Sequence, residues 1–264
     1  MKAQLTLNPS ESKRLIAKAL LRHAKISRAL SSGVLVINLG STNAYIAEEL
    51  LKKDILKERF MAGMIDGKGT CVVPREERDQ PLVIRKGLMS DENPEKITRI
   101  MGPDDVFIKG ANAIDKNGKA WVMLASETGG TMGRVLGTLL ARGVPIIIPV
   151  GLEKLVPDAL DEVSNRTGIY QMDYSIGAPV GIMPVPGEVV TEREAFKLLG
   201  DVEVYVIGAG GIGGGEGSHT FLVEGSEKDV KNIFNLVKEI KGEKSIGSIR
   251  GSCSSCIYKC PEKK

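Results

Sequence analysis

The fold class is decided by the stretch from Asp105 to Pro157, DVFIKGANAIDKNGKAWVMLASETGGTMGRVLGTLLARGVPIIIPVGLEKLVP. It holds three apolar runs, at 106–108, 120–125 and 144–150, with a helical pattern between the second and third. Strands that alternate with a helix are typical of a parallel sheet with crossover connections. We therefore predict an α/β protein with a mainly parallel open sheet and helices on both faces.

The composition excludes several classes of protein. The chain has 264 residues, of which 42% are hydrophobic, and a net charge of +3. These values fit an ordinary globular core and do not indicate a nucleic-acid-binding protein. All apolar runs fall well short of the roughly 20 residues that a membrane span requires. Because the polar start lacks a secretory signal, we expect a cytoplasmic protein.

Three parts are predicted along the chain. Residues 1–200 would form the α/β domain, and one helix is expected from Asn8-Pro9-Ser10-Glu11 to about Leu30, because these four residues form a start signal. A second helix is expected over 157–167. Residues 201–245 would form a β-β-α extension, and residues 246–264 a tail with cysteines.

Three small-residue turns are the candidate ligand site. Each follows an apolar run or opens a helical pattern, and open α/β sheets bind ligands beyond the carboxyl ends of their strands. Free N–H groups and hydroxyls at a helix start favour an anion, although Ser41 or Thr42 would also serve as a plain helix cap. The candidate residues in these turns are Gly40, Ser41, Thr42 and Asn43, then Gly110, Asn112 and Asp115, then Gly129, Gly130 and Thr131.

A glycine-rich segment at 208–213 matches the dinucleotide-binding pattern G-x-G-x-x-G after a predicted strand. That motif requires a helix that begins inside it. The next apolar run begins at His219, too close for a crossover helix. We therefore expect a glycine-rich loop between two strands.

Three cysteines, Cys253, Cys256 and Cys260, lie within the tail as C-x2-C-x3-C-P. The spacing resembles the last three ligands of a bacterial ferredoxin motif, with Arg250 where the first cysteine would stand. A cluster would need Cys71 or a partner's thiol, and zinc would also need a fourth ligand. The alternatives are an iron–sulfur cluster, zinc, a redox-labile disulfide and unliganded thiols.

Several of these motifs resemble the NagB/RpiA/CoA-transferase-like superfamily. The Gly40-Ser41-Thr42 turn resembles its glycine-rich loop, and the segment 110–115, GANAID, resembles the G-A-D-E-I-D of ribose-5-phosphate isomerases. The segment 150–157, VGLEKLVP, resembles a motif of the lactate-utilisation (LUD) branch. The resemblance covers about residues 5–200 and implies that Glu153 and Lys154 orient a polar ligand. They could equally form a surface ion pair.

The superfamily's enzymes imply two further alternatives. A sugar-phosphate isomerase needs a positioned base, but Asn112 and Ala113 replace the acidic pair of its motif, which leaves Asp115 as a weak candidate. A CoA-transferase needs a glutamate nucleophile, for which Glu127 is the nearest residue.

The LUD branch implies an anionic metabolite as ligand and, for some members, iron–sulfur cysteines and a redox partner protein. We also expect a homo-oligomer, and the remaining alternative is a zinc-stabilised dimer without catalysis.

Overall fold

The structure is a computed structural model that describes residues 1–256 and Cys260. In this part of the chain the helices are α1 (Pro9–Leu20), α2 (Ala24–Ser32), α3 (Ser41–Leu51), α4 (Pro94–Ile97), α5 (Gly130–Ala141), α6 (Glu192–Leu199) and α7 (Glu227–Ile240). The strands are β1 (Lys2–Leu7), β2 (Val34–Ile37), β3 (Gly63–Asp66), β4 (Gly69–Val72), β5 (Leu82–Arg85), β6 (Leu88–Ser90), β7 (Val106–Ile108), β8 (Ala113–Ile114), β9 (Ala120–Leu124), β10 (Ile146–Pro149), β11 (Gly181–Val185), β12 (Glu188–Val190), β13 (Val202–Gly210) and β14 (Ser218–Gly225).

A six-stranded sheet forms the centre of the molecule, in the order β12-β10-β7-β2-β5-β6. The four strands β12, β10, β7 and β2 are parallel, and β5 and β6 complete the sheet in antiparallel orientation. Its central strands are apolar throughout because helices cover both faces. The expected α/β class with a mainly parallel sheet is therefore confirmed.

The two faces of this sheet carry separate apolar cores. On one face, side chains such as Leu35 and Ile108 pack in a core that includes residues of α1, α2, α3, α6 and α7. On the other face, Val36 and Phe107 pack with residues of α5. Successive residues of one strand point to opposite faces, so each short strand contributes to both cores.

Helices α1 and α2 replace the single helix expected from Asn8 to Leu30. The start signal is real, because Asn8 and Glu11 form a complete capping box. The helix nevertheless ends at Leu20, and α2 begins at Ala24. Helix α1 packs on α3 and α6, whereas α2 packs on β2 and β5. The chain must turn between these two packing surfaces, so the helix breaks although the helical spacing of apolar residues is continuous.

The apolar run at 120–125 does not join the parallel sheet. Asp115 closes a tight turn by accepting hydrogen bonds from the backbone N–H groups of Asn117 and Lys119, both at 2.9 Å. This turn sends β9 back antiparallel to β8, and β9 then pairs with β11 in a separate three-stranded sheet. A turn of this length cannot connect parallel neighbours.

The helix expected at 157–167 is wrong. The structure has two 3₁₀ turns there, Leu160–Glu162 and Ser164–Arg166. Only Ala159 is buried in this segment. A regular helix would therefore have no apolar face to bury, and helices in proteins depend mainly on such packing.

The segment 201–245 contains β13, β14 and α7 in that order. Its sheet also includes β1, which pairs antiparallel with β14 from Lys2 opposite Glu224 to Leu7 opposite His219. One apolar core extends across residue 200, because Phe196 of α6 contacts Phe221 of β14 edge to face at 5.4 Å.

Candidate functional site

A cavity of about 270 Å³ lies beyond the carboxyl ends of β2 and β7. All three predicted turns contribute to its wall, as do the β3–β4 hairpin, β9 and the residues after β10. The lining residues that matter for the argument are Asn38, Gly40, Ser41 and Thr42, then Lys109, Gly110 and Asn112, then Gly129, Gly130 and Thr131, and Lys154. The structure thus brings together segments that are far apart in sequence.

The N-terminus of α3 presents unused hydrogen-bonding groups at the cavity. Its cap residue is Gly40, and no side chain caps the first turn. Beside it, the Thr42 hydroxyl and the Asn38 amide nitrogen are buried and have no hydrogen-bond partner. Buried polar groups are almost always paired. Unpaired donors beside an uncapped helix start therefore indicate a place for an anion.

The N-terminus of α5 faces the same cavity. Gly129 is its cap residue and Gly130 its first residue, with φ angles of 70° and 61°, and no side chain caps the helix. Successive N–H groups in such a turn form a concave donor surface for anions. Gly133 allows the tight start, because a side chain there would lie 2.2 Å from the Thr128 carbonyl oxygen.

Two half-buried lysines, Lys109 and Lys154, line the cavity floor. The Lys109 ammonium donates to the carbonyl oxygen of Gly110 at 3.1 Å, and the Lys154 ammonium donates to that of Ala111 at 2.8 Å. Burial and the positive charge of Lys154 lower the pKa of Lys109 to about 8. Burial also lowers the pKa of Lys154 to about 8, although Glu153 opposes this effect.

The lining carries a strong excess of positive charge. Arg75, Arg78 and Arg134 join the two lysines around the cavity, and no lining residue that the structure describes is an Asp or Glu. Arg134 lies at the rim, where Glu95 binds it at 2.5 Å. Cations that surround a partly enclosed space attract negative ligands.

Four predicted site residues lie outside the lining, and Asn43 and Asp115 are the buried pair among them. The Asn43 amide donates to the carbonyl oxygen of Asn38 at 2.7 Å and so closes the turn between β2 and α3. The Asp115 carboxylate is occupied by its own turn and by the Trp121 indole N–H at 3.0 Å. Both residues hold the turns of the site in place without lining the cavity.

The other two are Glu153 and Glu127. The Glu153 carboxylate binds the Lys13 ammonium at 2.9 Å, and Lys13 and Lys154 outweigh burial and lower the pKa of Glu153. Glu127 is exposed and bonds to the Tyr170 hydroxyl. Among the described lining residues there is consequently no carboxylate to act as a base or nucleophile.

Sequence reasoning missed Lys109, Asn38 and the β3–β4 hairpin as parts of the site. Lys109 follows an apolar strand directly, as Asn38 does, and both positions are strand ends at which α/β sheets bind ligands. That rule would have found them. The hairpin carries no comparable signal, since its place depends on a contact with a distant loop, in which Thr70 donates to the Ala178 carbonyl oxygen at 2.7 Å.

The tail lies against this hairpin. Arg250 binds the Asp66 carboxylate, with 2.7 Å between Nε and Oδ2, and donates to the Gly69 carbonyl oxygen at 2.9 Å. Cys71 is half-buried in the cavity wall, whereas Cys253 and Cys256 are exposed. Over residues 1–256 and Cys260, no three His, Cys, Asp or Glu side chains are gathered closely enough to hold a metal ion. The cysteines as placed do not form a complete metal site.

The glycine-rich segment after β13 is a hairpin loop, as expected. Strands β13 and β14 pair antiparallel through Gly210 and Ser218, and no helix begins inside the motif. The requirement for a dinucleotide crossover is therefore not met.

Comparisons of this chain with family models, with curated proteins and with solved structures found no match. None of the helices within residues 1–256 combines the length and the apolar character that crossing a membrane requires.

Proposed function

We propose that this chain is an LUD-like α/β protein that binds a small anionic metabolite in the cavity, in carboxylate or redox metabolism. The observation that carries the proposal is the lining itself, with five cationic side chains and no described carboxylate. Two uncapped helix starts and the unpaired Thr42 hydroxyl add neutral donors. The volume of about 270 Å³ suits a small metabolite, because drug-sized ligands occupy roughly 300–1,000 Å³.

The isomerase and CoA-transferase alternatives have less support. Each needs a carboxylate at the reacting centre, and neither Asp115 nor Glu127 lines the cavity. The geometry favours a binding function. Any reaction in the cavity would depend on groups other than a carboxylate.

The test is a binding screen of the full chain against inorganic phosphate, hydroxy acids, 2-oxo acids, sugar phosphates and CoA esters, by thermal shift and then calorimetry. At least one anion should bind, and Lys154→Gln should weaken it by about 10–100-fold, the value of one lost charge-assisted bond of roughly 1.5–3 kcal/mol. The matched control is Lys116→Gln, which alters an exposed lysine. No binding by any member of the panel would refute the proposal.

A second candidate is a metal or iron–sulfur site at Cys253, Cys256 and Cys260. An iron–sulfur cluster there would exchange electrons with a redox partner protein, whereas zinc would stabilise a dimer. The supporting observation is the Arg250 contact with Asp66 and Gly69, which places the tail beside the hairpin that carries Cys71. Metal analysis of anaerobically purified protein tests it, with Cys256→Ser as the variant. Protein without iron or zinc would remove this candidate.

A further inference from the structure

The two cavity lysines are held at one turn. The acceptors of their ammonium groups are the carbonyl oxygens of the neighbouring residues Gly110 and Ala111. Lys109 reaches this turn from the end of β7, and Lys154 reaches it from the segment after β10. Two amines from different segments thus bond to the backbone carbonyl groups of adjacent residues in the cavity lining.

Neither amine has the partner that a structural lysine normally has. A partly buried ammonium is usually paired with a carboxylate, as Lys57 is paired with Glu48 at 2.7 Å. Lys109 and Lys154 each bond to a backbone carbonyl oxygen, and no salt bridge in the described part of the chain includes either. A methionine could fill the same space without the cost of a desolvated charge.

This environment makes an amine reactive. A lysine becomes a nucleophile when it is desolvated or lies next to another cation, because the neutral form is then favoured. Burial and Lys154 lower the pKa of Lys109 to about 8, so about a tenth of its amine is neutral at pH 7. An exposed lysine has a far smaller neutral fraction.

Resting on the anion-binding function proposed above, we propose that Lys109 is a nucleophile that forms an imine with the carbonyl carbon of an anionic aldehyde, ketone or 2-oxo acid. The donors of the two helix starts would hold the anionic group, and Lys109 would meet the carbonyl carbon. Lys109 is the better candidate of the two lysines because no carboxylate contributes to its environment, whereas Glu153 and Glu192 both favour the charged form of Lys154.

The step balances without an oxidant or a reductant. The neutral Lys109 nitrogen forms a bond to the carbonyl carbon, and the carbonyl π electrons move to the oxygen, which takes a proton from the charged Lys154 ammonium. The Lys109 nitrogen then gives its extra proton to the Lys154 amine, which is now neutral. The protonated Lys154 then returns the proton to the departing hydroxyl, and the nitrogen lone pair expels water as the C=N bond forms.

Reductive trapping tests the proposal. The full chain is incubated with pyruvate, 2-oxoglutarate or dihydroxyacetone phosphate and sodium cyanoborohydride, which reduces imines, and the modified residue is identified by peptide mass mapping. A probe should label Lys109 at least tenfold faster than any other lysine. Labelling should be lost in Lys109→Arg and retained at Lys109 in the control Lys116→Arg.

The pH dependence provides a second readout. Labelling of Lys109 should increase between pH 6.5 and pH 8.5, because only the neutral amine attacks, whereas exposed lysines should react appreciably only at higher pH. The side chains of Cys71, Lys154, Arg75, Arg78 and Arg134 line the same cavity as Lys109, and the pKa of Lys154, about 8, lies within this range. In Lys154→Gln the profile should move to higher pH, because the neighbouring positive charge is lost.

The outcomes separate this proposal from the anion-binding function. Binding of a probe without faster labelling of Lys109 overturns the imine and leaves anion binding intact. Labelling that persists on other lysines in Lys109→Arg at an unchanged rate also overturns it. Neither binding nor labelling with any probe removes both proposals. Circular dichroism of Lys109→Arg must match that of the native chain, and Lys109→Met replaces it if the arginine does not fold.

Discussion

Two groups of charged side chains in this molecule differ in how their charges are balanced. On α1, Arg14 binds Glu49 at 2.9 Å and Glu243 at 2.8 Å, and it also binds Glu48. Glu243 and Glu48 outweigh burial and raise the pKa of the Arg14 guanidinium. At the cavity, the ammonium groups of Lys109 and Lys154 bond to backbone carbonyl oxygens, and no described lining residue is an Asp or Glu. Both groups are partly withdrawn from water, but only Arg14 is paired with carboxylates.

This difference indicates which group is structural and which is functional. A compensated cluster needs no ligand, and removal of one of its partners destabilises the fold. An uncompensated cluster lowers stability, and proteins tolerate such clusters at sites where a ligand supplies the opposite charge. The predictions below test this distinction from the largest expected effect to the smallest.

Arg14→Ala should destabilise the fold by about 3–5 kcal/mol, because it removes the cation of Glu243 and leaves Glu48 and Glu49, both mostly buried, with only their lysine partners Lys57 and Lys18. Urea unfolding at pH 7 measures the effect. The control is Arg134→Ala, which breaks an exposed pair with Glu95 and should cost about 0–1 kcal/mol. A loss below about 1 kcal/mol for Arg14→Ala would show that the balanced cluster contributes little.

Thr42→Val should weaken anion binding by about 10–100-fold while leaving the fold as stable as before or slightly more stable. The hydroxyl has no partner in the protein, so its removal breaks no internal bond, whereas a bond to a charged ligand is worth about 1.5–3 kcal/mol. Calorimetry and thermal unfolding of one preparation measure both quantities. Thr6→Val, on the distant three-stranded sheet, is the matched control. A large loss of stability with unchanged affinity would contradict the assignment.

Lys109→Met should raise the melting temperature at pH 7 by about 2–4 °C, because it removes a charge that burial penalises. The folded pKa of about 8 lies below the ordinary lysine pKa of 10.5. The penalty is therefore full below pH 8, declines as the pH rises from 8 to 10.5, and is absent above that. Scans at pH 7 and pH 10 should show a much larger gain at the lower pH. An equal rise in melting temperature at pH 7 and pH 10 would show that better packing, and not the lost charge, causes the gain.

Glu192→Gln should have the smallest effect, a gain of at most about 1 kcal/mol at pH 8. Burial and the nearby Glu153 raise the pKa of Glu192 to about 7, above the ordinary glutamate pKa of 4.5. The charged form is thus penalised above pH 7, and the penalty disappears as the pH falls toward 4.5. Unfolding curves at pH 8 and pH 4.5 should diverge only at the higher pH. A loss at pH 8 would mean that the charged carboxylate is needed to accept the Leu152 N–H, at 2.9 Å.

The sequence alone predicts the strands that are buried on both faces of the sheet, because such burial requires a continuous apolar run. The continuous apolar runs predict β2, β7 and β10 because strands of a covered parallel sheet are apolar throughout. The turns that begin at Gly40, Gly110 and Gly129 were also found, since glycine and small polar residues mark strand ends and helix starts.

The remaining features depend on contacts between distant segments. The Asp115 turn sets the direction of β9. The apolar run of β9 does not reveal this direction, because a parallel strand would have the same run. The reactivity inferred for Lys109 depends on burial by other segments and on Lys154, about 45 residues away along the chain. A lysine after a strand looks like any solvated turn residue until its neighbours are known.

The pairing of β1 with β14 has a consequence for biosynthesis. The strand at residues 2–7 is synthesised more than 200 residues before its strand partner at 218–225. Until then, Leu5 and Leu7 have no sheet to join, and nascent apolar segments in this condition are open to aggregation. We expect chaperones to bind the segment of residues 2–7 during translation, until β14 is available to pair with it.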